Sequence, residues 1–275
     1  MKKMVMGVVV ALTLVARSGY PARQYDFFQS SRNDSDSNQS SEMNGRATVD
    51  GQRTRVDFLS GSAYPPGTYV ISTDGAKKLL FVDPLQKTYT EFNAMAIAAA
   101  IGTTNIKISN LQSSVVKLED GRIIAGVPTD HYRLTMSYEI TVNLRHAITQ
   151  SVRTTIDKWT TVRFGEGATA AFDSATQTGN PQIDELIAAE TTKIKGFPLK
   201  QTIQVVTLSQ LPSSKESQLQ LPSTRTRTHE MTVTSISEIQ PKDAIFSIPA
   251  GYRKLNFDDN VTKSQTQVLT AQPAQ

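Results

Sequence analysis

The chain has 275 residues, no cysteine and a formal net charge of +4 from 29 basic and 25 acidic residues. Lys2, Lys3 and Arg17 lie before residue 19, so the remainder keeps 26 basic and 25 acidic residues. Nucleic-acid binding needs a concentrated basic face. The aromatic residues, 7% of the chain, are not interleaved with basic ones as a base-stacking surface requires. We therefore expect no nucleic-acid partner.

The first residues are typical of a secretory signal peptide. Lys2 and Lys3 precede an uncharged, mostly apolar run over residues 4–16, and small residues follow it. A single membrane anchor is the alternative, but such a run is shorter than the roughly 20 residues that span a bilayer. We predict a signal peptide over residues 1–18, with cleavage before Gly19 or, as a second option, after Ala22. The mature chain is then periplasmic or secreted, without a transmembrane anchor. With no cysteine to carry a lipid, it is not a lipoprotein.

The next residues form a polar N-terminal segment, 19–42. Its part over residues 30–42 is nearly free of apolar side chains and fits an exposed loop or a solvated strand edge. From residue 43 the pattern changes to short alternating segments. Asp50-Gly51 and Asp74-Gly75 each lie between two such segments, which is a strong short-range signal for a β-hairpin.

The stretch "LLFVDPLQKTYTEF", residues 79–92, predicts a third hairpin. Asp83 fits the first position of a type I turn, where its carboxylate accepts a hydrogen bond from the backbone two residues on. Pro84 fits the next position, where its fixed φ is already suitable. Alternation resumes after Gln86. A catalytic loop is the other interpretation, but an aspartate held by its own turn is poorly placed to act as a general base.

Two segments predict short helices. Residues 93–101 are alanine-rich, with Asn93 as the N-cap and Gly102 after the end. Residues 180–196 have Asn180 as the cap, Pro181 at the first helical position and Gly196 at the close. The remaining segments are β-rich, up to a polar tail over 258–275 that we expect to be disordered. The fold class is therefore mainly β with short α: a curved antiparallel sheet or incompletely closed β-barrel with helices across the opening, forming one domain over 43–257.

Four segments resemble the DUF4412 family of bacterial secreted proteins of unknown function. They are "FVDPLQKTYTEF", "VPTDHYRLTMSY", "TGNPQIDELIAAETTKIKGFPLK" and "FSIPAGYRKL". The likeness spans roughly residues 40–256. The family is similar in architecture to the LolA-like periplasmic lipoprotein carriers, in which helices lie across a half-open barrel above an apolar cavity. The resemblance implies this architecture and brings no reaction with it. The chain lacks a recognisable lipoprotein-sorting motif.

The residues themselves indicate no catalytic chemistry. His131, His146 and His229 do not have metal-ligand spacing. Asp130 and His131 are adjacent on a predicted strand, so their side chains point to opposite faces. Nucleophile elbows and phosphate-binding loops are absent from the sequence, although a triad assembled in space remains open. We expect no metal, no cofactor and no enzymatic activity.

We expect the helices to cover a cavity for an apolar small molecule or lipid, lined by the helical residues Met95, Ile97, Ile101, Ile183, Leu186 and Ile187. The same residues would also suit an ordinary filled core. Two other functions stay open: an interaction protein that holds a partner in the cell envelope, and a hydrolase with a spatially assembled Ser/His/Asp site.

Overall fold

The computed structural model describes residues 21–34, 40–74, 78–93, 106–143, 147–164, 181–210 and 223–255. Its strands are β1 (Arg23–Asn33), β2 (Ser41–Asp50), β3 (Arg53–Gly61), β4 (Tyr69–Ser72), β5 (Lys78–Asp83), β6 (Thr88–Asn93), β7 (Ile106–Leu118), β8 (Ile123–Ile124), β9 (Val127–Pro128), β10 (Asp130–Asn143), β11 (Ala147–Thr161), β12 (Phe197–Gln210), β13 (Ser223–Glu238) and β14 (Arg253–Leu255). One α-helix, α1 (Pro181–Thr191), and 3₁₀ turns at Val162–Phe164 and Asp243–Phe246 complete the described part. The predicted signal peptide and the polar tail lie outside the described residues.

Twelve of the strands form one sheet, in the order β14, β6, β5, β4, β3, β2, β1, β13, β12, β11, β10, β7. Neighbouring strands are antiparallel except β14, which pairs parallel with β6. The sheet is large and curved and is not closed into a barrel, which confirms the predicted fold class. β8 and β9 form a separate two-stranded hairpin between β7 and β10.

The turn chemistry of the sequence is confirmed where the structure describes it. β2 and β3 pair up to Asp50 and Arg53 across the Asp-Gly turn. β4 and β5 also pair, and residues 75–77 of their connection lie outside the described residues. β5 and β6 pair up to Asp83 and Thr88, which makes the Asp83-Pro84 stretch a hairpin turn. The Asp83 carboxylate accepts a hydrogen bond from the backbone N–H of Gln86 at 3.1 Å, three residues on rather than the two that we predicted.

The sheet begins earlier in the sequence than the polar character of residues 19–42 indicates. Residues 23–33 form β1, which lies inside the sheet between β2 and β13. Tyr25 and Phe27 are each 1% exposed, because alternation in "QYDFFQ" directs them into the core. Both predicted signal-cleavage positions precede Arg23, so either one leaves β1 intact.

The helices differ from prediction in two details. Asn93 is the last residue of β6 rather than a helix cap, and the rest of the predicted 93–101 helix lies outside the described residues. α1 begins at Pro181 as predicted but ends at Thr191, before Gly196. Gly196 instead permits a close approach of two backbones, since a Cβ there would lie 2.6 Å from the carbonyl oxygen of Thr161.

Apolar side chains form three clusters. Cluster 1 is centred on β1, β2, β3 and β13 and contains the buried residues Tyr25, Phe27, Met43, Ala47, Val49, Val56, Phe58, Val70, Leu79, Val127, Phe164, Phe197, Leu199, Met231 and Val233. Cluster 2 joins α1 to β10, β11 and β12 through the buried residues Leu134, Met136, Tyr138, Val152, Ile156, Ile183, Ile187 and Ile203. Cluster 3 contains Tyr69, Ile71, Val82 and Phe246.

Clusters 1 and 2 lie on one face of the sheet, here called the inner face, and cluster 3 lies on the outer face. The assignment follows from alternation: Val70 of cluster 1 lies between Tyr69 and Ile71 of cluster 3 along β4. The segment over residues 246–252 covers cluster 3, with Phe246 in the cluster and Ile248 and Tyr252 packed against it. The sheet is therefore covered on both faces at β4 and β5.

Alanine at Gly196 should destabilise the protein more than alanine at Gly67. Both glycines have positive φ, +93° and +85°, so either change introduces backbone strain of about 1–2 kcal/mol. A Cβ at Gly67 meets nothing within 4 Å, whereas one at Gly196 meets the Thr161 backbone. We expect Gly196→Ala to lose a further 1–3 kcal/mol, roughly, from this overlap. Urea unfolding of both variants measures the difference, and equal losses would contradict the close approach.

Candidate functional site

The inner face beneath α1 is the part of the molecule that the sequence predicted to bind a ligand. Ile183 and Ile187 are 2% and 4% exposed and pack in cluster 2, as predicted for the apolar face of this helix. Leu186 is only half-buried. Ile183 and Ile187 face the sheet, and Leu186, three residues after Ile183, lies at the side of this apolar face. Met95, Ile97 and Ile101 lie outside the described residues.

Cluster 2 is not uniformly covered. Its partly buried members lie on β7, β10 and β12, and they are Ile108, Leu111, Val115, Ile140 and Val205. Ile108 and Ile140 are partners in the pairing of β7 with β10. Half-exposed apolar residues that adjoin a packed core provide a surface against which an apolar chain can bury itself.

A row of polar residues crosses the inner face between the two apolar clusters. In the strand register, Gln29 of β1 pairs with Met231 of β13, Met231 with Gln201 of β12, and Gln201 with Lys158 of β11. Directly paired residues point to the same face. Gln29, Gln201 and Lys158 are 8%, 2% and 1% exposed. We call Gln29, Gln201 and Lys158 the polar row.

Two oxygen atoms of the polar row have no hydrogen-bond partner among the residues that the structure describes. They are the side-chain amide oxygens of Gln29 and Gln201, both buried. The Tyr25 hydroxyl, also buried on the inner face, lacks a partner too, and burial raises the pKa of this phenol well above its usual range. Buried polar groups are nearly always satisfied by protein, water or a ligand. The two unpaired amide oxygens therefore mark a position where a donor is to be expected.

His229 lies beside the polar row on the inner face. It pairs with Ile203 of β12 and Ser31 of β1, one step along the strands from Met231. Burial lowers the pKa of its imidazole below the usual value of 6.5, because desolvation disfavours the charged form. At neutral pH this histidine is therefore uncharged.

Sequence analysis did not single out Gln29, Gln201 or Lys158. The signal was present in the alternation: Tyr25, Phe27 and Gln29 share one face of β1, and Leu199, Gln201 and Ile203 share one face of β12. A polar residue at an inward position of an otherwise apolar face is informative. In β1 it was missed because the segment was interpreted as a polar leader to the domain.

The outer face holds a second cluster, around His131. Its Nδ1 lies 2.6 Å from the Asp120 carboxylate and its Nε2 lies 2.9 Å from that of Asp157. Its ring stacks on Trp159 at 4.1 Å between centroids. Asp130, its neighbour in sequence, instead pairs with Lys117 at 3.0 Å.

The surroundings of His131 indicate a structural role. Both ring nitrogens contact carboxylates, so neither one faces a hydroxyl that it could activate, as a Ser/His/Asp site requires. Asp120 lies in the connection that leads to the β8–β9 hairpin, and this hairpin places Val127 in cluster 1. The contact thus fastens the hairpin to the end of the sheet. In the described ranges, we find no group of three or more His, Asp or Glu side chains that could hold a metal ion.

A surface groove of about 720 Å³ lies next to this connection, lined by Lys117, Leu118, Glu119, Gly121, Arg122, Ile123, Pro128, Thr129 and Asp130. The Lys117–Asp130 ion pair lies within it. The groove adjoins the β7–β8 connection, and Lys117 in its lining pairs with Tyr132 of β10, which in turn pairs with Lys158 of the polar row. Among the described helical residues, no helix is long and apolar enough to cross a membrane.

Comparison with known proteins adds little. No family model matches the chain, and no curated protein matches it. Among solved structures, an uncharacterized conserved protein from Thermus thermophilus is similar with a TM-score of 0.30 and 9% identity, over 84% of this chain and 90% of that chain. A likeness at that score supports no argument about fold or function.

Ile187→Ala and Leu186→Ala should separate the packed side of α1 from its half-exposed side. Ile187 is buried in cluster 2, so its truncation leaves a cavity and should cost roughly 2–5 kcal/mol. Leu186 is half-buried, so the same kind of truncation should cost about 1 kcal/mol. Thermal and urea unfolding of both variants test this. A negligible loss for Ile187→Ala would show that the helix is a loose lid over a hollow rather than part of the core.

Asp120→Asn should weaken the acid dependence of stability. The hydrogen bond from His131 holds the pKa of the Asp120 carboxyl below its usual value. A lowered folded-state pKa gives a stabilising contribution that is present above the unfolded value, about 3.9, and is lost as pH falls through the folded one. The difference in unfolding midpoint between parent and variant should therefore shrink in acid. Asp83→Asn, in a turn whose contact asparagine also makes, serves as the control.

Proposed function

We propose that this chain is an exported, non-enzymatic module of the cell envelope that binds an apolar ligand, such as a lipid or an acyl chain, on the inner face of its sheet. The observation that carries this proposal is the partly covered apolar surface of cluster 2 between α1 and the sheet. A ligand chain there would bury the half-exposed Ile108, Val115, Ile140 and Val205. Burial of apolar area is what drives such binding.

Export is supported by the sequence of residues 1–18, which has a basic start, an apolar run and small residues after it. The resemblance to the DUF4412 family points the same way. A non-enzymatic role is supported by His131, whose ring nitrogens both contact carboxylates. His229 lies beside apolar Ile203, and His146 is outside the described residues.

An interaction protein of the envelope is the second candidate, and one observation favours it. β7 is a strand of 13 residues at the edge of the sheet. Edge strands present unpaired backbone groups to which another strand can be added. Cross-linking from Lys117 on this strand in cells, returning one partner in stoichiometric amount, would support this function over ligand binding.

Adjacent valines on β7 provide a matched test of the ligand proposal. Val115 is part of the inner surface and pairs with Leu134, whereas Val116 is on the outer face, is 47% exposed and pairs with Arg133. Val115→Asn should weaken binding of a fluorescent fatty acid about tenfold, because it puts an amide against the apolar chain. Val116→Asn should leave the affinity unchanged.

Native mass spectrometry of the exported protein should show a co-purified lipid. The mass of the protein itself should place the mature N-terminus at or near Gly19. If the parent protein carries no lipid and shows no saturable binding of the fatty acid, ligand binding is excluded. Equal effects of Val115→Asn and Val116→Asn would place the ligand elsewhere than on the inner face.

A further inference from the structure

The polar row calls for a hydrogen-bond donor that the described residues do not supply to it. The amide oxygens of Gln29 and Gln201 are buried without a partner, and they lie on either side of Met231. Their strands are two spacings apart, about 10 Å. Met231 lies between them on the same face, so one small polar group beside it could reach both amide oxygens.

The charge around the row restricts what that donor can be. Lys158, fully buried at 1% exposed, is the direct neighbour of Gln201. A second cation in this weakly polarisable surrounding would be repelled by it. The donor is therefore neutral, such as a hydroxyl or an amide N–H. His229, which lies two residues from Met231 along β13, is uncharged at neutral pH.

The exposure of the inner face indicates that a ligand would reach the polar row by moving parallel to the strands. On β13 the inner-face residues become steadily more exposed from Met231, which is buried, to His229, which is half-buried, and to Arg227, which is exposed. On β12 the exposure rises in the same direction from Gln201 to Val205. A ligand that enters from this end reaches cluster 2 and the polar row together.

From this arrangement we infer that the inner face binds an amphiphile rather than a plain hydrocarbon, with a neutral, hydroxyl- or amide-bearing head group at Gln29 and Gln201. Its acyl chain lies along the half-exposed apolar residues of cluster 2. The inference rests on the proposed function and adds the head-group chemistry to it. Glycerol esters and fatty amides have these groups, whereas fully esterified or purely hydrocarbon chains do not.

Displacement of a fluorescent fatty acid by glycerol monolaurate and by methyl laurate tests the inference, both below their micelle concentrations. The two esters share one acyl chain and differ in the two hydroxyls. Two hydrogen bonds to neutral acceptors should make the parent protein bind glycerol monolaurate about tenfold more tightly. In the double variant Gln29→Leu, Gln201→Leu this preference should disappear, while the affinity for methyl laurate stays the same or rises.

A thermal melt of the ligand-free double variant distinguishes this role from a structural one. Replacing an unsatisfied buried amide by an apolar group of similar size is neutral or stabilising, so the melting temperature should be unchanged or higher. A lower melting temperature would mean that the amides hold the fold together, which contradicts the inference. Equal affinity of the parent for both esters, or a preference that survives the double change, would also overturn it. If neither ester displaces the probe and the probe itself fails to bind, the proposed function fails as well.

Discussion

The pairing of β1 with β13 joins the two halves of the sheet. On one side of it, β1 to β6 follow one another as a meander; on the other, β13, β12, β11 and β10 do the same in the opposite direction, with β7 at the edge. The pairing runs from Arg23 with Glu238 to Asn33 with Arg227. We call this β1–β13 pairing the seam. Cluster 1 spans it, because Phe27 and Val233 are direct partners and both are almost fully buried. Each half alone would expose this apolar surface to water.

The seam also positions the polar row. Gln29 and Gln201 belong to different halves of the molecule and come together only because Met231 on β13 pairs with both of their strands. Two uncompensated buried acceptors are costly, each by about 1–3 kcal/mol. Folded proteins tolerate such groups mainly where function requires them.

The structural features that could be predicted from the sequence are those that depend on residues close together in the chain. Asp50-Gly51, Asp83-Pro84 and the start of α1 at Pro181 are local signals, and the structure confirms all three. The position of β1 could not be predicted in this way, because its partner β13 is some two hundred residues away. The same holds for His131, whose contacts with Asp120 and Asp157 depend on how a loop folds over the end of two strands. The inward position of Gln201 is visible in the local alternation, but its alignment with Gln29 and Lys158 follows from the register of four strands, which no local pattern specifies.

The seam also affects the order in which the chain can fold. Arg23 and Glu238 are paired although they lie 215 positions apart in the sequence. The sheet therefore cannot be completed until nearly all of the chain is available to fold. During synthesis, β1 waits with one edge open until β13 has emerged. This delay would favour the export that we propose, because a chain that cannot complete its sheet early stays unfolded and can pass through a narrow translocation channel. It also means that β1, once released, presents an unpaired edge that is at risk of aggregation unless a chaperone holds it.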